Sequence, residues 1–204
     1  MKHVKMLGLA AIATLGLMAF VGAGTASATT LCTSTKVVEG KTVCAVAYGV
    51  GQEIHLTLKS GTSALLETTT GEKIATCTES TVKGTIGTST GTWVAVGIST
   101  LAWNNCSQTT DTLNTGSIEI MQTAGDEGLV IGKGSNVTFG VFGVTCTYGT
   151  GEGVALGFLH GGTNAELTNV GEVPKTGGGF LCPSAGSWTA TYVVTTPHAV
   201  HVVS

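Results

Sequence analysis

No arginine occurs anywhere in the 204 residues, and only 10% of them are charged. About 25% is usual for a folded domain. Phosphate backbones are held by basic side chains, so a chain without Arg and with a formal charge of −3 is a poor nucleic-acid binder. The Glu/Lys heptads of a coiled coil are missing as well. No two cysteines lie closer than Cys32 and Cys44, so the close ligand pairs of a structural zinc site are also lacking. What is abundant is Gly (31 residues) and Thr (36), with 42% hydrophobic residues in short runs. Thr and short apolar runs bounded by Gly favour strands and turns over helices.

Residues 1–28 read as a secretory signal peptide. Lys2 and Lys5 make a basic start, Met6 to Phe20 is a nearly continuous apolar run, and Ala26-Ser27-Ala28 is the small-x-small pattern of a cleavage site. The run is shorter than the roughly 20 residues of a spanning helix, and no second apolar stretch follows. Leu31 before Cys32 argues against a lipid-modified cysteine, which normally follows a small residue. The expected mature chain starts at Thr29, is secreted or extracellular, and has no transmembrane segment. Removing Lys2 and Lys5 leaves seven Lys against twelve Asp and Glu, a formal charge of −5. All six cysteines (Cys32, Cys44, Cys77, Cys106, Cys146 and Cys182) fall in that part. An even count in an exported chain reads as three disulfides, with fifteen possible connectivities.

Alternating polarity predicts the strands. Glu53, His55, Thr57 and Lys59 interleave with Ile54, Leu56 and Leu58, giving one wet and one buried face. Further strands are expected at 73–77, 92–102, 117–122, 128–131, 136–144, 165–169, 188–195 and 199–203. Turn signals such as Asn114-Thr115-Gly116 and Lys133-Gly134-Ser135 stand between them. Strands at this spacing without a helical pattern predict a single all-β domain over 29–204, an antiparallel sandwich or barrel. Residues 85–91 look like its loosest stretch.

The chain also matches itself at an offset of about 100 residues. Tyr48-Gly49-Val50-Gly51 answers Tyr148-Gly149-Thr150-Gly151, and Ile54, Leu56 and Leu58 answer Val154, Leu156 and Phe158. Gly61-Thr62-Ser63-Ala64 answers Gly162-Thr163-Asn164-Ala165. An internal duplication with related halves around 44–85 and 146–192 is therefore expected. It would place all six apolar residues inward and pair Cys44 with Cys77 as the counterpart of Cys146–Cys182.

Two tracts carry a resemblance. Thr76-Cys77-Thr78-Glu79-Ser80-Thr81 and Gly178-Gly179-Phe180-Leu181-Cys182-Pro183-Ser184, continued by Trp188-Thr189-Ala190-Thr191-Tyr192, resemble a group of exported, uncharacterised actinobacterial proteins with a cysteine-stapled β-rich domain. The resemblance implies sequential pairing: Cys32–Cys44, Cys77–Cys106 and Cys146–Cys182. It implies no activity, substrate or catalytic residue.

Residues able to do chemistry are sparse. A serine-hydrolase triad needs a histidine held by a carboxylate. The histidines of the mature part are His55, His160, His198 and His201, and the aspartates are only Asp111 and Asp126, both in polar, loop-like sequence. His198 and His201 are three apart, which on a strand puts them on opposite faces, away from a shared metal. Glu53, Glu67, Glu72, Glu79, Glu152, Glu166 and Glu172 alternate with apolar residues, as on a solvated face. The run Gly149-Thr150-Gly151-Glu152-Gly153 lacks the following helix and Lys of a phosphate loop. Trp93, Trp103 and Trp188 are expected in the core. The composition thus predicts no catalytic, cofactor or metal site. It points to a non-enzymatic exported protein with a structural or binding role at the cell envelope, its partner being cell-wall material or a second copy. The alternatives are a carbohydrate- or ligand-binding module, which would show an exposed aromatic pair among Trp93, Trp103 and Tyr148, and a secreted hydrolase built on His55 or His160. The export reading is checked by the intact mass of secreted material. It should match a chain from Thr29 with every cysteine oxidised, and a mass retaining residues 1–28 would remove the leader.

Overall fold

The structure is a computed structural model describing residues 28–141 and 143–204. Apart from Ala28, the expected signal peptide lies outside the described residues. In chain order the strands are β1 (Thr30–Val38), β2 (Lys41–Ala47), β3 (Glu53–Leu58), β4 (Ala64–Thr68), β5 (Lys73–Thr90), β6 (Trp93–Cys106), β7 (Thr110–Asn114) and β8 (Ser117–Gln122). They continue with β9 (Glu127–Lys133), β10 (Asn136–Val141), β11 (Val144–Gly149), β12 (Val154–His160), β13 (Glu166–Gly177), β14 (Ala185–Thr196) and β15 (His201–Val203). There is no helix among the described residues.

The strands form an antiparallel barrel of eight staves with additional strands and a smaller sheet. β3 and β4 together make one stave. Running along β14, Gly186 to Thr189 meets Thr68 to Leu65 of β4, and Tyr192 to Thr196 meets Leu58 to His55 of β3. On the other side the same two strands both pair with β5. From β5 the ladder passes through β6, β8, β9, β12 and β13, and returns at β14. Each stave therefore neighbours the next in the chain, an up-and-down order interrupted only by β7 and by the β10–β11 hairpin.

The alternation read from the sequence sets which way each stave faces. Ile54, Leu56, Leu66, Val94, Val96, Ile120, Val130 and Leu167 are buried inside, whereas Glu53, Lys73, Thr85 and Glu172 face out. Fully burying one such aliphatic side chain contributes about 1.5–3 kcal/mol. Apolar inside and polar outside is the reverse of a lipid-facing barrel.

Both barrel ends are covered. At one end the three-stranded sheet β15-β1-β2 buries Leu31, Val200 and Val202. It is tied to the barrel by a bridge between Gly162 and Val200, and by Asp126, which accepts from the Val202 N–H at 2.6 Å. Thr29 forms a node at this end. Its hydroxyl donates to the Thr92 carbonyl at 2.6 Å and accepts the Gln122 N–H at 2.9 Å, while the Ser89 hydroxyl donates to its carbonyl at 3.1 Å. At the other end β13 runs on past the barrel and pairs with β11, adding the sheet β11-β10-β7.

The three disulfides are Cys32–Cys44, Cys77–Cys106 and Cys146–Cys182. This is the sequential set that the resemblance implied, and the Cys44–Cys77 pairing suggested by the repeat is not formed. The two similar tracts also take different topologies. Gly61-Thr62-Ser63 interrupts a single stave, whereas Gly162-Thr163-Asn164 reverses the chain between β12 and β13. Ile54 and Leu56 point inward as expected, and Leu156 does too, but Phe158 is 41% exposed. The cause is a bulge between Ala155 and Gly157, which turns the rest of β12 over so that Leu159 replaces Phe158 inside. Gly157 has φ +150°, and a Cβ there would lie 1.9 Å from the Thr168 carbonyl oxygen, so the bulge needs glycine.

Strand boundaries depart from expectation mostly by extension. Residues 85–90, read as loose, end the eighteen-residue β5 and pair with β6. The segment 136–144, read as one strand, ends instead at Val141 and turns at Gly143 into the β10–β11 hairpin, and the φ of +79° there is one a glycine accepts readily. β1, β2 and β7 were not expected at all, because their Thr-rich sequences lack clean alternation.

Thr29→Val keeps the side-chain shape but leaves the half-buried Gln122 N–H without its acceptor. We expect a loss of about 1–3 kcal/mol in urea unfolding. An unchanged midpoint would show that the node is dispensable.

Candidate functional site

The barrel interior is not completely filled. A chamber of about 120 Å³ lies between its middle and the end covered by β7, β10 and β11. Inward side chains of the staves make most of its wall, with Leu56, Leu66, Val82, Ile98, Ile118, Leu156 and Leu167 as the aliphatic part. Two of its leucines lie close against glycine backbone in the neighbouring staves. Gly132 and Gly186 face Leu156 and Leu66, and a Cβ at either would come within 2.6 Å of a leucine methyl.

The added sheet brings Phe139 and Tyr148 over the chamber, beside Trp103 at the end of β6 and Trp188 on β14. Trp103 and Trp188 meet edge to face, with centroids 4.9 Å apart. Phe139 lies 6.1 Å from Tyr148 and 6.5 Å from Trp188. Offset and edge contacts of this kind hold aromatic rings in fixed orientations. Trp188 is in the core as expected and Trp103 is half-buried against it. With Tyr148 buried, Trp103 and Tyr148 form part of the chamber rather than an exposed platform.

One wall is a seam. β6 pairs with β8 only over Val94 to Gly97. Beyond that, one backbone bond, from the Ile98 N–H to the Gly116 carbonyl at 3.1 Å, is followed by side-chain hydroxyls that join the edges: Thr115 donates to the Ile98 carbonyl at 2.6 Å and Thr112 to the Leu101 carbonyl at 2.6 Å. The Trp103 indole N–H donates to Thr112 at 3.0 Å, and Ser135 donates to the Thr115 carbonyl at 2.6 Å.

Two polar groups stand deep in the barrel. The Tyr192 hydroxyl is paired with that of Ser80 at 3.0 Å. Burial raises the Tyr192 pKa above the ordinary phenol value near 10, more than the Ser80 hydrogen bond lowers it. Burial also raises that of Tyr148, whose hydroxyl donates to the Pro183 carbonyl at 3.3 Å. The other deep group is Asn169 on β13. It is 6% exposed and lines the chamber, and its Oδ1 has no hydrogen-bond partner. Sequence reading did not single it out. The signal was there in parity, because Leu167, Asn169, Gly171 and Val173 share one face.

The lining holds no carboxylate, imidazole, amine or thiol. The candidate chemical residues lie elsewhere. His55 sits 3.3 Å from Glu53, and His160 3.1 Å from Glu127, all on the outer surface. Asp126 lies in the turn between β8 and β9, as expected, and its carboxylate holds His201 Nδ1 at 2.5 Å, whereas Asp111, also read as loop-like, lies in strand β7. No hydroxyl is hydrogen-bonded to any of these rings among the described residues. Gly87-Thr88-Ser89-Thr90-Gly91 fits the letters of a Gly-x-Ser-x-Gly elbow. It is instead the end of strand β5, with Ser89 bonded to Thr29 and no helix following. Gly149 to Gly153 ends β11 and leads into β12, again without a helix.

No family model, curated protein or solved structure matches the chain.

Tyr192 carries a pH prediction. Its folded-state pKa is raised, so its contribution is intact below the unfolded value near 10 and is lost as pH rises beyond it. Unfolding free energy should fall above about pH 10, and Tyr192→Phe should flatten that fall while lowering stability at pH 7 by about 1–3 kcal/mol through the unpaired Ser80. Identical alkaline slopes for the two proteins would contradict this assignment.

Proposed function

We propose that this chain is a non-enzymatic, exported binding protein that holds one small apolar molecule inside its barrel. The observation that carries the reading is the chamber itself: a closed eight-stave barrel whose interior is left unfilled behind an aromatic cover. Barrels of this size either fill with side chains or accommodate one small ligand. Apolar sites with a few placed polar groups are the usual form of small-molecule pockets. Three disulfides suit an oxidising compartment outside the cytoplasm, and no helix among the described residues is long and apolar enough to cross a membrane.

A second reading, self-association at the envelope, has one observation in its favour. β2 is an open edge of the small sheet, and the β1–β2 hairpin exposes Val37, Val38 and Val46. Sedimentation over a range of concentrations separates a monomer from an edge-paired dimer.

Binding is tested with benzene, followed by the emission of Trp103 and Trp188. A saturable change is expected, and Val137→Phe, which grows a side chain into the chamber, should abolish it. Absence of a saturable change in the unsubstituted protein removes the reading.

A further inference from the structure

Asn169 specifies more than an apolar guest. We propose that the chamber takes a neutral, single-ring aromatic molecule carrying one hydroxyl group, of the phenol class, with the hydroxyl bonded to Asn169; this rests on the ligand-binding reading above.

Size comes first. A dry apolar cavity of about 150 Å³ accepts benzene. The chamber, at about 120 Å³, is on that scale, so a single ring matches its volume. Shape comes second. Trp103, Trp188, Phe139 and Tyr148 give flat, mutually fixed walls, which suit a planar guest. Charge comes third. The lining has no ionic side chain, so a carboxylate or ammonium would lose its hydration without gaining a counter-charge.

The hydrogen-bonding capacity left unused then selects the substituent. Thr115, Ser135 and Tyr148 spend their hydroxyl protons on carbonyls, and Tyr192 is paired with Ser80. Thr150 accepts the Ser135 N–H at 2.9 Å. Asn169 Oδ1 is the buried side-chain polar atom without a partner among the described residues. An unsatisfied buried acceptor costs free energy that an apolar residue of the same shape would not. A ligand hydroxyl relieves that penalty. It can donate to the amide oxygen or accept from the amide nitrogen, so it satisfies Asn169 in either orientation of the amide.

The experiment compares phenol with toluene, its near-isostere without the donor, on the mature protein with its disulfides intact. Titrations follow tryptophan emission and are repeated by calorimetry. We expect phenol to bind about tenfold more tightly than toluene, the size of one good hydrogen bond. Asn169→Leu should bring phenol down to the toluene level, leave toluene binding in place and raise the melting temperature, because the orphaned amide is gone. Equal affinities for phenol and toluene in the unsubstituted protein would overturn the hydroxyl assignment while leaving the apolar-guest reading intact. Phenol binding undiminished in Asn169→Leu would overturn the role of Asn169. Saturable binding of neither compound would overturn the binding reading itself. The comparison in the unsubstituted protein decides the question even if the variant does not fold.

Discussion

Closure of the sheet is made where β14 turns back onto the β3–β4 stave, residues 185–196 meeting 53–68 across most of the chain length. Everything else follows from that ladder. An eight-stave sheet that closes has no edge of its own within the ring, and its inward residues must share one enclosed space. The width of that space is set by strand number and tilt, not by the side chains available to fill it. Here glycines at 132 and 186 let Leu156 and Leu66 lie close against the backbone of neighbouring staves. The inward side chains together leave a chamber of about 120 Å³ unfilled.

The ends of such a barrel are its weak points, since backbone and apolar side chains are open to water there. The chain covers each end with a separate piece of structure. At one end the terminal strands β1 and β15 meet, fixed by the Thr29 node and by Asp126. At the other, β7 and the β10–β11 hairpin leave the ring and stack on an overlong β13. The disulfides lie on these additions and at a rim rather than at the closing seam. Cys32–Cys44 ties the β1–β2 hairpin, Cys146–Cys182 ties β11 to the loop after β13, and Cys77–Cys106 joins the ends of the paired β5 and β6. They constrain the unfolded chain and hold the covers in place, while the barrel itself is held by hydrogen bonds and burial.

The site was legible only in fragments. Trp188 as core and Leu56 as inward-facing follow from composition and alternation. Asn169 could have been found by following parity along β13, where an amide falls among inward Leu167, Gly171 and Val173. Phe158 could not have been placed outward, since the bulge at Ala155–Gly157 depends on the strands on either side. The His201–Asp126 pair joins residues 75 positions apart through a sheet that local pattern does not reveal.

Period-two alternation, Gly-marked turns, an even cysteine count and the lack of charge by themselves determined an all-β, antiparallel, disulfide-stapled domain, because each is a local property of the chain. Pairing partners are not local. The same Gly-Thr-x-Ala letters continue a stave at residue 61 and reverse the chain at 162, and nothing nearby distinguishes them. What decided between the two was β14, more than a hundred residues after the first tract, whose backbone donors and acceptors lie against both β3 and β4 and so hold them in line. Sandwich or barrel, the failure of the repeat, and the chamber beside Asn169 all rest on that long-range ladder, which only the folded chain contains.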